Sequence, residues 1–266
     1  MKTYPKVITI AGTDSGGGAG IPADIKAISA CGSYAACVIT AVTAQNTLGV
    51  SAVHDIPAAI IKAQAEAVLS DIGADAIKIG MLSKAETVNA VAEALQHSPT
   101  PNIVLDTVMV STSGHRLLQP DAVDALRNNL MPKALLITPN IPEAEVLLGM
   151  EISTQSQLDN CARQLSEIAG NSVLLKAGHL EDNDEIYDVL YNATTGVSTR
   201  YPAKRINTVN THGTGCTLSA AIAAFLSQGF ALETAVQKAE DYLHRAIAAG
   251  AEYKIGNGHG PVKHFI

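Results

Sequence analysis

The chain has 266 residues and a formal net charge of -7; 47% of its residues are hydrophobic and 16% charged, which suits a globular protein rather than a disordered or fibrous one. The absence of Trp and of any Lys/Arg run argues against a nucleic-acid partner, and no stretch approaches the roughly 20 apolar residues of a membrane span. We therefore expect small-molecule partners, no nucleic acid and no membrane.

Short apolar runs of β type alternate with helical stretches along most of the chain. They are KVITIAG (6–12), AACVITAV (35–42), DAIKIGM (75–81), NIVLD (102–106), ALLITPN (134–140) and SVLLKAG (172–178). The alternation is typical of βαβ units, and strands that are apolar throughout are usually buried on both faces of a parallel sheet. The sequence thus predicts an α/β fold, a three-layer αβα sandwich with a mainly parallel central sheet, in one domain spanning residues 1–266.

A glycine-rich turn follows the first strand in IAGTDSGGGAGIPADIKA (10–27) and leads into a helix. It is not a Walker A motif, because no Gly-Lys-Ser/Thr follows, and it does not fit GxGxxG cleanly. Asp14 is interpreted as a turn residue or a helix cap. Asp24, one turn into the helix, is expected to face either a ligand or only solvent.

Polar side chains follow three of the later strands. Asp106 ends VLD, Asn140 and Glu143 follow ITP, and Lys176 follows VLL. Since ligands of open α/β sheets bind at the carboxyl ends of the strands, these acidic groups suit a magnesium nucleotide and the lysine suits its phosphates. The non-functional alternatives are that Asn140 and Glu143 only cap a helix, and that Lys176 is an ordinary lysine on the surface.

The last third of the chain begins with two β-type runs, 185–191 and 196–206, around Asn-Ala-Thr-Thr-Gly, which predict an antiparallel hairpin at the sheet edge. Two helices are expected at about 214–228 and 231–249, divided by Gly229, before an irregular tail.

The first of these helices opens with Gly213, Thr214, Gly215 and Cys216. Small residues allow successive N–H groups to point outward, and the helix start adds partial positive charge, so the turn is a candidate anion site. The alternative is an ordinary glycine turn before a core helix. The same helix start is expected to lower the pKa of Cys216 and let it take a proton from an alcohol, unless Cys216 is a buried structural cysteine.

The four cysteines show neither a CxxC pair nor zinc-ligand spacing, and the early VITIAG run breaks at once into glycines instead of forming a signal-peptide core. A reducing cytoplasm is the expected location.

Seven blocks carry a resemblance to a known family. They are AGTDSGGGAGIPADIKA, VITAVTAQNTLGV, KIGML, LDTVM, TPNIPEAEVLLG, LLKAGH and NTHGTGCTLSAAIAA, in that order. Together they resemble the hydroxymethylpyrimidine and phosphomethylpyrimidine kinases of thiamine biosynthesis, in the ribokinase-like superfamily. The resemblance implies successive ATP-dependent phosphorylation of 4-amino-5-hydroxymethyl-2-methylpyrimidine and its monophosphate, with ATP and Mg²⁺ as cofactors, in a homodimer.

The resemblance also implies roles for single residues. The anion hole and catalytic groups would be Gly213, Thr214, Gly215, Cys216 as base and Lys176. The nucleotide would meet Asn140, Glu143, Lys176 and Thr211, and the metal would meet Asp106 and Glu143. The pyrimidine would contact Gly12, Asp24, Gln45, Met81 and Val108. The carboxamide of Gln45 offers one donor and one acceptor, which match one edge of an aminopyrimidine.

Three other functions remain open. Pyridoxal or pyridoxine kinases share the implied fold and the Gly-Thr-Gly-Cys turn, and Gln45 favours the pyrimidine only modestly. A non-catalytic pyrimidine-binding protein would not need the intact set of metal and phosphate residues. A sugar kinase is disfavoured, since such enzymes usually place Asp where Cys216 stands.

Overall fold

The computed structural model describes residues 2–97, 100–109, 118–178, 180 and 185–266. The strands are β1 (Lys6–Asp14), β2 (Tyr34–Asn46), β3 (Gly49–Asp55), β4 (Ala76–Ile79), β5 (Ile103–Leu105), β6 (Leu136–Ile137), β7 (Ser172–Leu175), β8 (Glu185–Asn192) and β9 (Val197–Lys204). The α-helices are α1 (Gly20–Ala30), α2 (Ala58–Asp71), α3 (Ala85–Ala94), α4 (Pro120–Ala125), α5 (Ile141–Leu148), α6 (Leu158–Ala169), α7 (Thr214–Ser227) and α8 (Leu232–Gly250). His179, the last residue of the LLKAGH block, lies outside the described residues.

The strands form one sheet in the order β3-β2-β1-β4-β5-β6-β7-β8-β9. The six central strands, β2, β1, β4, β5, β6 and β7, run parallel. Strands β3 and β8 join them antiparallel, and β9 pairs antiparallel with β8. Every residue of β4 and β7 is buried, as expected for strands covered on both faces. The predicted mainly parallel α/β fold is confirmed.

Two hydrophobic cores lie on opposite faces of the sheet. On β4, Ile77 and Ile79 belong to the core formed with α2, α3 and α6, whereas Ala76 belongs to the core formed with α1, α7 and α8. The alternation follows from the period of two along a strand, which sends successive side chains to opposite faces. The sheet is therefore the middle of three layers, as the sequence predicts.

Both edges of the sheet end in hairpins. The hairpin of β8 and β9 agrees with the predicted one at residues 185–206. The second hairpin, β2 with β3, is not in the sequence interpretation, which ends its second strand at Val42. Beyond Val42 exposed residues alternate with buried or half-buried ones, so the strand lacks the continuous apolar run that marks the central strands.

Consecutive strand ends are joined by backbone hydrogen bonds at one edge of the sheet. The N–H of Asp106 donates to Ile79 O (2.8 Å), and the N–H of Lys176 donates to Pro139 O (2.9 Å). These bonds align the carboxyl ends of β4 to β7, where the candidate residues lie. In the part of the chain that the structure describes, no helix has the length and apolar character needed to cross a membrane.

Candidate active site

The backbone of the turn before α7 packs closely against the glycine-rich turn of residues 16–20. Gly213 has φ of 80°, and a Cβ there would lie 1.9 Å from the carbonyl oxygen of Gly18. Only glycine satisfies both constraints. Thr214 closes the turn, because its N–H and its hydroxyl both donate to Thr211 O, at 3.3 and 3.1 Å.

The first turn of α7 carries the partial positive charge of a helix start, and none of its own side chains caps it. Gly213 makes no side-chain cap, and the first turn carries no acidic residue. The N–H groups of Gly215 and Cys216 fall among the first four of the helix, which have no acceptor within it. The helix dipole adds to these donors, so this end of α7 is suited to bind an anion.

A lysine and an aspartate from neighbouring strands flank this helix start. Lys176 Nζ lies 3.1 Å from Asp106 Oδ1, which also accepts the hydroxyl of Thr138 (3.2 Å), and Ser219 on α7 donates to Asp106 Oδ2 (3.1 Å). A Cβ at Gly215 would lie 3.4 Å from Lys176 Nζ, so the ammonium approaches the helix backbone closely. The lysine side chain is only 14% exposed, which excludes the surface-lysine interpretation.

Burial and mutual attraction act in opposite directions on this pair. Burial raises the pKa of Asp106, but the charges of Lys176 and Lys78 and the hydrogen bonds to it outweigh burial and lower the pKa overall. Burial lowers the pKa of Lys176, but Asp106 and Glu143 raise it above its ordinary value. Both side chains are therefore charged at neutral pH.

Asn140 and Glu143 form a complete capping box at the start of α5. Asn140 Oδ1 accepts the N–H of Glu143 (2.9 Å), and Glu143 Oε2 accepts the N–H of Asn140 (3.0 Å). Glu143 also accepts the hydroxyl of Thr107 (2.8 Å) and the N–H of Met109 (3.1 Å). The capping interpretation is confirmed, and the carboxylate has a second structural role, since it ties the segment after β5, including Val108, to α5.

The chemistry of these carboxylates fits a Mg²⁺ ion that is held largely by water and phosphate. Oxygens of Asp106 and Glu143 already accept hydrogen bonds from protein donors, and no group of three or more His, Cys, Asp or Glu that could cage a metal occurs among the described residues. Mg²⁺ usually keeps several waters and is bound by one or two carboxylates together with substrate phosphates. The two carboxylates therefore suit this type of site.

Four of the five residues expected around the pyrimidine lie on or just after four neighbouring strands: Gln45 on β2, Gly12 on β1, Met81 after β4 and Val108 after β5. A Cβ at Gly12 would lie 2.8 Å from Met81 Cε, so these two residues touch. Gln45 is partly exposed near the tip of the β2–β3 hairpin; its Oε1 accepts the hydroxyl of Thr43 (3.1 Å) and its Nε2 lies 3.5 Å from His212 Nε2. The Gln45 amide is thus available to a ligand beside His212, which precedes the turn of residues 213–216.

Comparison with known proteins agrees with this geometry. A family model described as phosphomethylpyrimidine kinase matches residues 14–263. The chain belongs to this kinase family. It is 50% identical over 259 residues to the hydroxymethylpyrimidine/phosphomethylpyrimidine kinase of Rhizobium meliloti, covering 97% of this chain and 96% of the relative. Membership makes the protein a phosphotransferase and implies ATP as its co-substrate.

This member of the phosphomethylpyrimidine kinase family resembles solved structures of two kinds of kinase. The phosphomethylpyrimidine kinase of Clostridium difficile is 41% identical with a TM-score of 0.80, covering 91% of this chain and 99% of that chain. The pyridoxal kinase of Bacillus subtilis, solved with ADP, is 33% identical with a TM-score of 0.88, covering 98% of each chain. The fold alone therefore does not separate pyrimidine from pyridoxal substrates.

The structure corrects the expected ionisation of Cys216 in this kinase. Burial raises the pKa of its thiol to about 11, and the nearby charges of Asp24 and Asp106 act in the same direction. Lys78 and the N–H of Gly20 lower the pKa but do not compensate. The prediction of a lowered pKa is wrong, because it counted the helix start and not the desolvation and the two carboxylates.

The structure also corrects the expected position of Asp24. Its side chain is fully buried and does not face solvent. Lys78 Nζ donates to both of its carboxylate oxygens, at 2.9 and 2.8 Å, and Thr9 donates to Oδ2 at 2.5 Å. Asp24 is therefore a partner of Lys78 in the protein interior, and its contact with the pyrimidine stays a prediction.

Lys78 is the site residue that sequence reasoning missed. Its side chain is fully buried, and a Cβ at Gly80 would lie 2.7 Å from its Nζ, so Gly80 leaves room for the ammonium group. Burial lowers the pKa of Lys78, but Asp24, Cys216 and Asp106 raise it above the ordinary value, so it remains charged. The available signal was a lysine within the otherwise apolar strand AIKI, which indicates a buried charge and was not used.

We expect the charge balance of this pair to be visible in the free energy of unfolding. Lys78→Met leaves the Asp24 carboxylate buried without its counter-ion and should lower that free energy by roughly 3–5 kcal/mol. The double variant Lys78→Met/Asp24→Asn removes both charges, keeps an acceptor for Thr9, and should recover most of the loss. Urea denaturation of the three proteins measures this, and equal stabilities of single and double variants would contradict the interpretation.

Two further carboxyl groups lie behind Lys176. Asp188 accepts the N–H of Ala177 (2.8 Å) and is hydrogen-bonded to Glu240. Burial and the neighbouring Asp188 charge raise the pKa of Glu240 well above its ordinary value. Burial beside Asp188 therefore favours the protonated form of Glu240.

Proposed function

We propose that this kinase transfers the terminal phosphoryl group of ATP to the alcohol of 4-amino-5-hydroxymethyl-2-methylpyrimidine, and then phosphorylates the monophosphate to the pyrophosphate in thiamine biosynthesis. The observation that supports this most directly is the uncapped, glycine-bounded start of α7, flanked by the charged pair of Lys176 and Asp106. Phosphoryl transfer depends mainly on positioning and on stabilising negative charge, which these groups supply.

Each group has a defined part in the first step. The N–H groups of Gly215 and Cys216 hold the transferring phosphoryl group, and Lys176 neutralises charge on the nucleotide phosphates. The alcohol oxygen forms a bond to phosphorus as the bond to the ADP oxygen breaks, and the alcohol proton passes to Cys216 in its thiolate form, which becomes the thiol. Asn140 and Thr211 bind the nucleotide at the adjoining strand end and turn.

Asp106 and Glu143 would hold Mg²⁺ through its water shell, and the ion would neutralise phosphate charge when bound. The pyrimidine lies against Gly12, Met81 and Val108, with the Gln45 amide on its ring nitrogen and amino group. In the second step the nucleophile is a phosphate oxygen that is already anionic, so no base is required.

We further infer that the enzyme works in the cytoplasm as a homodimer. All four cysteines are free, which suits a reducing compartment. Val42, Leu48 and Val53 on the β2–β3 hairpin are exposed and apolar, which suits contact with a second copy.

Pyridoxal kinase activity is a second candidate, favoured by the likeness to the Bacillus subtilis pyridoxal kinase. A coupled assay of ADP formation with hydroxymethylpyrimidine, its monophosphate and pyridoxal separates the possibilities. We expect both pyrimidines to be used with higher kcat/KM than pyridoxal, and turnover to stop when Mg²⁺ is removed by chelation. Preferred use of pyridoxal would support the second candidate, and no ADP with any substrate would indicate a non-catalytic binder.

A further inference from the structure

Two glycine-rich turns that are distant in sequence touch each other beside the site. The first turn comprises residues 16–20 after β1, and the second comprises residues 213–216 at the start of α7. A Cβ at Gly18 would lie 2.4 Å from His212 Cδ2, just as a Cβ at Gly213 would collide with Gly18 O. The position of one turn therefore fixes the position of the other.

Asp14 is the group that organises the first turn. Its Oδ1 accepts the N–H of Gly16 (2.7 Å), and its Oδ2 accepts the N–H groups of Gly18 (3.0 Å) and Ala19 (2.9 Å). The interpretation of Asp14 as a turn residue is confirmed. The carboxylate is buried, so these bonds are not exchanged for bonds to water.

The same carboxylate oxygen reaches the second turn. His212 Nε2 lies 2.9 Å from Asp14 Oδ2, and His212 directly precedes Gly213. The backbone N–H of His212 donates to Gly260 O (3.0 Å), which anchors the residue on its other side. Asp14 and His212 thus form a clamp between the two turns.

The clamp also lies next to the side chain expected to bind the pyrimidine. Ser15, which follows Asp14, exchanges hydrogen bonds with the backbone N–H (2.8 Å) and O (2.7 Å) of Gln45, and Gln45 Nε2 is 3.5 Å from His212 Nε2. Gln45 is therefore tied to the first turn, while the anion-binding N–H groups belong to the second. The Asp14–His212 contact is a direct side-chain link between the two.

We propose that Asp14 and His212 are positioning residues that set the distance between the acceptor alcohol and the phosphate-binding turn. The inference rests on the proposed function, because it takes Gln45 as the acceptor side and Gly213 to Cys216 as the phosphate side. Displacement of about 1 Å between reacting groups is enough to lower rates about 10²-fold while both substrates still bind. The clamp therefore acts on kcat and not on KM.

The test compares two substitutions at the histidine. His212→Leu removes the bond to Asp14, whereas His212→Gln places an amide Nε2 donor near the position of the histidine Nε2. We expect His212→Leu to lower kcat about 10- to 100-fold for both phosphorylation steps, with each KM changed less than about threefold. It should also raise the ratio of ADP formed to pyrimidine phosphorylated, since water competes with a misplaced alcohol. In His212→Gln, both kcat and the ratio of ADP formed to pyrimidine phosphorylated should be close to the wild-type values.

Two results would overturn the proposal. One is wild-type kcat and coupling in His212→Leu, and the other is a rise in KM at unchanged kcat. If His212→Leu does not fold, His212→Asn, whose amide is too short to reach Asp14, is measured in the same way. Failure of the proposed function would look different, because the wild-type enzyme itself would then phosphorylate neither pyrimidine.

Discussion

Replacing Cys216 by alanine is expected to slow phosphorylation of hydroxymethylpyrimidine by roughly 10²- to 10⁴-fold, the usual loss when a general base is removed. Phosphorylation of the monophosphate should fall much less, because its nucleophile is an anion before it reacts. Single-turnover rates with each substrate measure the two effects separately. The asymmetry follows from the chemistry of the substrates and not from the packing of the side chain.

The serine variant is the matched control for this experiment. Cys216→Ser keeps nearly the same shape at the start of α7 but cannot form a thiolate. If Cys216 acts as a base, Ser and Ala should slow the first step to a similar extent. If Cys216 only shapes the anion hole, the serine variant should retain activity, and the alanine variant should lose both steps equally.

The raised pKa of Cys216 adds a pH dependence to the same prediction. With a thiol pKa of about 11 in the free enzyme, the active thiolate is a small fraction at neutral pH. The kcat/KM of the first step should therefore rise by about tenfold per pH unit between pH 7 and 9, whereas that of the second step should not. A flat profile for the first step in this range would contradict the role of a free thiolate.

Gly213→Ala is expected to lower kcat for both phosphorylation steps by at least about 10²-fold, because both use the same phosphate-binding turn. The added Cβ would lie 1.9 Å from Gly18 O, so one of the two turns must move. Alanine would also have to adopt φ near 80°, a backbone conformation that residues with a side chain rarely adopt. Displacement of the N–H groups of Gly215 and Cys216 follows. Steady-state kinetics on both pyrimidines measures the loss.

Gly229, next to the other end of α7, provides the control. It has φ of 85°, close to that of Gly213, but a Cβ there meets nothing within 4 Å. Gly229→Ala therefore has a similar conformational cost of roughly 1–2 kcal/mol without a collision, and it should retain wild-type kcat. Equal losses in the two variants would mean that general destabilisation, rather than the geometry of the turn, explains the effect.

The sequence predicted those parts of the site that depend on local patterns. Asp106, Asn140 and Lys176 follow apolar strands, so a parallel sheet brings them to one edge without knowledge of any side-chain contact. The Gly-Thr-Gly-Cys turn combines its special backbone requirement and the helix start in four adjacent residues. For the same reason the three-layer fold and the β8–β9 hairpin could be predicted.

The parts that sequence reasoning missed depend on partners far away along the chain. Asp24 looked like a helix-surface residue because nothing near it shows that Lys78, 54 residues later, supplies its counter-ion. The pKa of Cys216 is set by burial and by carboxylates on α1 and after β5, and the helix start is only one contribution. Asp14 and His212 are separated by 198 positions, so their contact could not be inferred from either motif alone.

The most direct test of the central claim is a crystal structure of the enzyme with a non-hydrolysable ATP analogue and hydroxymethylpyrimidine bound together. We predict that the terminal phosphate accepts hydrogen bonds from the N–H groups at the start of α7, beside Lys176, with the pyrimidine alcohol next to Cys216. A structure with either ligand bound away from this turn would contradict the account.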